Sequence, residues 1–139
     1  MKRVKDIMTL DPACCMPESS LQEVAQMMID NDCGEIPVVD SVENRKPIGV
    51  VTDRDIVCRA VAQGKNTLPM TVRDCMTTPC VTVTPETSVE ECVKVLEETQ
   101  IRRVPVVDVR GICCGIVAQA DIARTAKKQA GELVAKVSE

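Results

Sequence analysis

The chain has 139 residues, 45% apolar and 27% charged, with a net charge of −4; this is ordinary globular composition, long enough to bury roughly 70% of the unfolded surface as one compact unit or two small ones. It contains no Phe, Trp, Tyr or His, which removes the stacking platforms that hold single-stranded nucleic acid and the commonest general base, zinc nitrogen ligand and nucleophile partner. No long basic run offers a phosphate-backbone footprint and no apolar stretch approaches the ~20 residues that span a bilayer, so neither nucleic acid nor a membrane is an expected partner.

The opening residues Met1 to Asp6 carry positive charge with no apolar run behind them, so they are no secretory signal. A cytoplasmic location is expected, and the nine cysteines are then reduced thiols. Their number is odd and no CxxC spacing occurs. The close pairs Cys14-Cys15 and Cys113-Cys114 are vicinal, and small core hydrophobes are their default reading.

In chain order, Val4-Lys5-Asp6-Ile7-Met8-Thr9 opens a pattern that returns as Val72-Arg73-Asp74-Cys75-Met76-Thr77, 68 positions later. Short apolar runs follow (Ala13 to Met16; Cys80 to Val83). Each leads into a helix with a capping box, Ser20-x-x-Glu23 or Ser88-x-x-Glu91. Leu21, Val24, Ala25 and Met28, and likewise Val89, Cys92, Val93 and Leu96, keep helical spacing. Two near-continuous apolar strands come next, Ile36 to Val39 and Ile48 to Val51, mirrored by Val104 to Val107 and Ile112 to Val117. Asn44 or Gly111 serves the turn between them. A second helix begins near Asp53 and near Gln119. The first of these stops at Gly64, and the other continues toward Leu133 and Val137. The chain therefore reads as β-α-β-β-α twice: residues 1–64, a linker 65–71 with breakers Gly64, Asn66 and Pro69, and residues 72–139 with an extended last helix.

The segment Thr52-Asp53-Arg54-Asp55 lies where a strand gives way to a helix. Backbone N–H groups there favour anions, a threonine hydroxyl can donate to a phosphate, and a carboxylate can accept both hydroxyls of a ribose. The competing reading is a helix cap, with Thr52 as N-cap and Asp55 as the acid of the first turn. In the second copy the cap position is Ala118 while Asp121 keeps the acid, so both readings stay open on the residues alone.

Three motifs recur in order over nearly the whole chain: Asp6-x-Met8-Thr9 and Asp74-x-Met76-Thr77; Ile36-Pro37-Val38-Val39-Asp40 and Val104-Pro105-Val106-Val107-Asp108; Gly49-Val50-Val51-Thr52-x-x-Asp55 and Gly115-Ile116-Val117-x-x-x-Asp121. In these the chain resembles a tandem cystathionine β-synthase (CBS) domain pair, or Bateman module. The resemblance implies a mixed α/β fold of two packed repeats with pseudo-two-fold symmetry. It also implies a regulatory, signal-transducing role. The implied ligand is an adenine nucleotide (AMP, ADP or ATP) or S-adenosylmethionine, with no cofactor required, no catalytic residue and no metal ligand. Carried over residue by residue, it implies two unequal clefts. Cleft A combines Val50, Thr52 and Asp55 with Thr78, Cys80, Ile101, Arg102 and Arg103. Cleft B combines Ile116, Ala118 and Asp121 with Ala13, Cys33, Gly34 and Glu35. Ribose binding at Asp55 becomes the favoured reading, the arginines suit phosphate, and Glu35 repels it.

The chain is expected to act alone or on a separate, unknown effector protein. No paired carboxylates, metal constellation or activated nucleophile suggests an enzyme. Two other readings remain. One is a thiol or metal sensor, in which Cys14-Cys15 and Cys113-Cys114 approach each other across the pair. The other is a structural homodimer. Ile56, Val57, Ala60 and Val61, with Ile122, Ala123 and Ala126, either complete the core or form a self-complementary surface, which Ala130 to Val137 could extend despite Gly131.

Overall fold

A computed structural model describes residues 2–138, with the side chains of 129 and 132–138 left aside. The helical spacing of Leu21, Val24 and Met28 produces α2 (Leu21–Asp30), with those three residues buried and the Ser20 side chain accepting from Glu23 N–H at 3.0 Å. Its counterpart α4 (Val89–Thr99) buries Cys92 and Leu96, and Ser88 accepts from Glu91 N–H at 3.1 Å. Each hydroxyl satisfies a donor that the first turn leaves orphaned.

Both copies then form an antiparallel hairpin. Strand β2 (Glu35–Val39) pairs with β3 (Pro47–Thr52), Glu35 lying opposite Thr52. Strand β4 (Arg103–Val107) pairs with β5 (Cys113–Ala118), Arg103 lying opposite Ala118. The second turn uses Gly111 at φ +80, as its glycine predicts; in the first, the left-handed residue is Arg45 at φ +51, one position after Asn44. The extra two residues of that turn move the bend onto a side chain that has other partners, described below. The runs 13–16 and 80–83 are shorter as strands than their apolar character suggests. Each contributes one parallel bridge, Cys15 to Val38 and Val83 to Val106. Helix α3 (Asp53–Ile56) winds on into a π turn (Val57–Val61) and the chain reverses at Gly64, φ +70. Helix α5 spans Gln119–Ser138.

The two β-α-β-β-α units exchange their opening segments. Helix α1 (Val4–Ile7) docks on the second unit, where Val4 N–H donates to Thr87 O (2.8 Å) and Lys5 N–H to Pro85 O (3.0 Å). The 3₁₀ turn Val72–Asp74 docks on the first, where Val72 N–H donates to Ser19 O (2.8 Å) and Arg73 N–H to Pro17 O (2.9 Å). Val4 is accordingly buried among Val83, Cys92, Leu96, Val104 and Val117. Val72 and Cys75 are buried among Leu21, Val24, Ile36 and Val51. The exchange extends into the sheets. The strand β1 (Thr9–Leu10) pairs with β5 through Thr9 and Ile116, while Thr77 bridges Val50 on β3. These bonds repeat under one pseudo-two-fold operation, so the mixed α/β architecture follows from the duplication.

Glycine is required where the exchanged segments cross the hairpins. A Cβ on Gly49 would stand 2.5 Å from Thr77 O, and one on Gly115 would stand 2.8 Å from Met8 Sδ and 3.0 Å from Thr9 O. The strand from the opposite unit occupies the space of the missing side chain. Gly49→Ala should therefore destabilise the fold by about 2 kcal/mol, the usual cost of forced overpacking. Gly131→Ala, with nothing within 4 Å of the added carbon, should be neutral or slightly stabilising. Thermal unfolding of the two variants beside the parent checks the contrast.

Candidate functional site

The strand-to-helix junctions hold the two acids singled out in the sequence. At the first, Thr52 Oγ1 accepts from Asp55 N–H (2.9 Å) and Asp55 Oδ2 accepts from Thr52 N–H (3.0 Å). This is the reciprocal cap, present in full. The exchanged segment adds Thr77, whose hydroxyl donates to Asp55 Oδ1 at 3.2 Å. Arg59 Nη1 stands 4.0 Å from the same oxygen while donating to Cys75 O and Met76 O. Val50 and Thr77 exchange backbone hydrogen bonds of 3.0 and 2.8 Å, and the Thr78 methyl lies against Gly49. Val50, Thr52, Asp55 and Thr78 are thus gathered around Thr77. Sequence reading left Thr77 and Arg59 out of the site, although Thr77 is the last residue of the repeated Met-Thr motif.

At the second junction Asp121 Oδ2 accepts from Ala118 N–H (2.9 Å), so the acid half of the cap survives without the hydroxyl. Its other oxygen is taken by Arg124. Asp121 is buried, and it lines a hollow of about 220 Å³ with Lys2, Asp6, Ile7, Arg124, Thr125 and Lys128.

A separate cavity of about 210 Å³ lies between the units. Thr9, Pro12, Ala13, Cys33, Glu35 and Ile36 of the first half, with Arg103 and Ile116 of the second, form its wall, and Asp11, Asn31 and Pro37 complete it. It unites Ala13, Cys33, Glu35 and Ile116 of the expected cleft B. Its wall differs from that grouping in two ways. Asp121 lies in the other hollow, because α1 of the opposite unit packs over the start of α5. Arg103, expected in cleft A, faces the same space as Glu35, because both residues open the second strand of their unit and the pseudo-two-fold axis sets those strand starts across from each other. Gly34 stays at the head of α3, its carbonyl accepting from Asp53 N–H at 2.9 Å. Burial pushes the Cys80 thiol up to about 12, and the nearby Glu35 and Cys14 add to the shift. Ile101 packs against the second core. Arg102 is exposed, and its carbonyl accepts from Gln119 N–H.

Glu35 is the polar group on which the cavity turns. It is 7% exposed, and its Oε2 has no hydrogen-bond partner. Burial pushes its carboxyl up to about 7; Arg103 opposes that shift and the Asp55 charge adds to it. An unpartnered acceptor buried in a cavity wall is costly, and a donor from outside the chain would relieve it.

A protein-family profile described as "CBS domain" matches residues 4–61 and 72–128. The chain belongs to the CBS-domain family. It is 39% identical over 106 residues to the uncharacterised protein MK0525 of Methanopyrus kandleri, of whose length it spans 53%. It is similar to hypoxic response protein 1 of Mycobacterium tuberculosis, whose crystal structure carries two coordinated zinc ions (34% identity, TM-score 0.78, covering 88% of this chain and 98% of that one). The CBS domain pair of MJ0100, solved with 5′-methylthioadenosine and S-adenosyl-L-methionine, superposes with a TM-score of 0.82 at 29% identity, covering 93% and 98%. CBSX2 from Arabidopsis thaliana, solved with AMP, gives 0.83 at 26% identity, covering 94% and 99%.

The raised acid of Glu35 gives this CBS pair a signed pH dependence. Folding takes up a proton between the ordinary value of 4.5 and about 7. The stability that the neutral carboxyl contributes is fully present below about pH 4.5 and is lost as pH rises through about 7, by about 3 kcal/mol. Glu35→Gln removes that slope, so it should be more stable than the parent at pH 8 and lose the advantage at pH 4.5. Denaturant unfolding at the two pH values measures the difference.

Proposed function

We propose that this CBS pair is a regulatory module that takes an adenine nucleotide or an adenosyl ligand between its units and signals to a separate effector protein in the cytoplasm. The observation that carries the reading is the shared cavity, which sets the unpartnered Glu35 carboxyl and the Arg103 guanidinium in one wall beside Ile36, Ile116 and Ala13. With no aromatic ring in the chain, the base is held by aliphatic side chains. The cavity is smaller than the roughly 300–1,000 Å³ of sites that enclose drug-sized ligands, so it encloses part of a nucleoside and leaves the rest at the opening. Arg103 attracts a carboxylate or phosphate and Glu35 attracts a cation or a hydroxyl donor. A zwitterionic tail such as that of S-adenosylmethionine meets both. The junction at Asp55, with its capped helix head and the Thr77 hydroxyl, is the second candidate, suited to a ribose and the phosphate of AMP, ADP or ATP. Catalysis forms no part of this reading, and no cofactor is required.

A ligand regulates only through unequal affinity for two arrangements of the protein. The helix faces that such arrangements could use are partly outside the core. Val57 and Val61 are 54% and 58% exposed, and Ala123 and Ala126 are exposed, whereas Ala60 is buried and Ile56 and Ile122 pack on the cores. We infer a homodimer through these two faces. The possible extension along Ala130 to Val137 falls largely on side chains outside the described residues.

Calorimetry with AMP, ATP and S-adenosylmethionine tests the ligand reading. Asp55→Ala should abolish nucleotide binding, and Glu35→Gln should weaken S-adenosylmethionine about tenfold, the worth of one charge-assisted hydrogen bond. Unchanged affinities in both variants exclude these sites. For the dimer, Val57→Lys with Val61→Lys should yield a monomer in sedimentation equilibrium where the parent sediments as a dimer.

A further inference from the structure

The two vicinal cysteine pairs are split by the strand geometry around them. Successive side chains of an extended segment point to opposite sides. Cys15 faces the first core, its Sγ 3.7 Å from Pro37 O, and Cys114 packs on the second core, its Sγ 3.5 Å from Val106 O. Their neighbours Cys14 and Cys113 turn the other way, toward the boundary between the units, where Asp11 N–H donates to Cys114 O at 3.4 Å; each thiol donates to a carbonyl of its own segment, Cys14 Sγ to Pro12 O at 3.4 Å and Cys113 Sγ to Gly115 O at 3.7 Å. Arg45, the residue at φ +51, ties this contact together. Its carbonyl accepts from Cys113 N–H at 2.9 Å, and its Nη2 lies 3.4 Å from Pro12 O and 3.7 Å from Cys14 Sγ. Among the described residues no group of three or more Cys, Asp or Glu is placed to hold a metal ion.

We propose that Cys14 and Cys113 form a reversible disulfide between the two CBS units, with hydrogen peroxide or a related hydroperoxide as oxidant and Cys14 as the attacking thiol. Their environments differ as the two roles require. The nearness of Cys113, helped by the Arg45 guanidinium, draws the Cys14 thiol down to about 7 against the opposing effect of burial, while the nearness of Cys14 and burial push Cys113 up. Cys14 is half-buried, directly after the cavity residues Pro12 and Ala13, and Cys113 is 3% exposed. Peroxide therefore reaches Cys14 first.

In the first step the Cys14 thiolate attacks one peroxide oxygen. An S–O bond forms, the O–O bond breaks, the sulfur loses two electrons and hydroxide leaves. In the second, the Cys113 sulfur attacks Cys14 sulfenic acid. The S–S bond forms, the S–O bond breaks, and the departing hydroxide takes the Cys113 proton as water. The hydroxide of the first step recovers the proton that Cys14 released on ionising, so two thiols and one peroxide give one disulfide and two waters. The two sulfurs, released from the Pro12 and Gly115 carbonyls, close to the roughly 2 Å of an S–S bond. A thiol reductant of the thioredoxin or glutathione class reverses the bond by exchange. Cys14 follows two residues of the cavity wall, and Cys113 shares β5 with the wall residue Ile116. The bond therefore fixes that wall in one arrangement, whichever ligand it accepts.

The experiment uses the full chain carrying Cys58→Ser, which removes the exposed thiol, treated with a slight excess of hydrogen peroxide. Peptide mapping without reductant should show one cross-linked pair, Cys14 with Cys113, that disappears on reduction. The unfolding midpoint should rise by about 5 °C or more while the bond is present. Cys113→Ala should leave Cys14 as a sulfenic acid that dimedone traps, and Arg45→Met should slow loss of the Cys14 thiol several-fold. Absence of the Cys14–Cys113 peptide in folded Cys58→Ser protein overturns the proposal, as does a vicinal 14–15 or 113–114 disulfide in its place. Thiol loss at an unchanged rate in Cys14→Ala overturns it too.

Discussion

Everything in this molecule depends on the exchange of opening segments. Neither unit has a complete core of its own. The first lacks Val72 and Cys75 until the linker delivers them, and the second lacks Val4 until the N-terminal segment crosses over. Val4 and Val72 are fully buried valines at equivalent positions of the repeat. A residue such as Val contributes roughly 1.5–3 kcal/mol when fully buried, so each unit holds a stabilising contact that only its sister can supply. The same crossing brings Thr9 to β5 and Thr77 to β3. The site residues ride on those crossings. Thr77 reaches Asp55, and Thr9 and Pro12 reach the cavity of Ile116, because the backbone that carries them is held on the opposite hairpin. Fold stability and site assembly are in this sense one set of hydrogen bonds.

Much of the fold was legible because duplication makes a sequence check itself. The 68-residue offset, the paired serine caps and the two Pro-Val-Val-Asp strands each appear twice, so an accidental pattern is easily set aside. The exchange was not legible, because a Val at the start of a repeat satisfies the apolar pattern equally well on its own unit or on its sister. Only the three-dimensional path of the linker decides between them. The runs 13–16 and 80–83 read as strands for a related reason. Their apolar character answers to burial between elements, and one bridge each to Val38 and Val106 is all the ladder they make.

The candidate site was legible residue by residue and illegible as a grouping. Glu35 and Arg103 were noticed as opposed charges at equivalent positions, yet were assigned to different clefts. The structure sets them in one wall, since equivalent positions close to a pseudo-two-fold axis approach each other whereas those far from it separate. Asp55 and Asp121 share no wall; Asp121 lines a hollow beside α1 and Asp55 stands beside Thr77. Each faces an arginine that follows it in the chain, Arg59 or Arg124, but only Asp55 carries a threonine from the exchanged segment, and nothing in their common spacing foretells the difference.

Divergence between the copies is where a symmetric scaffold acquires direction. Thr52 against Ala118, Glu35 against Arg103, and the long first turn with Arg45 against the short one with Gly111 all break the two-fold relation. A perfectly symmetric pair would bring like to like, placing two carboxylates or two guanidinium groups in one low-dielectric space at the cost of their mutual repulsion. Substitution in one copy replaces that repulsion with attraction and yields a cavity with a positive and a negative end. The lengthened turn acts in the same way on the thiols. It carries Arg45 over the boundary to Cys14 and Cys113, at which point one cysteine has a cation beside it and the other a backbone carbonyl. Asymmetry at the axis turns two equal halves into a site with defined polarity, and any ligand or oxidant that enters meets an oriented environment.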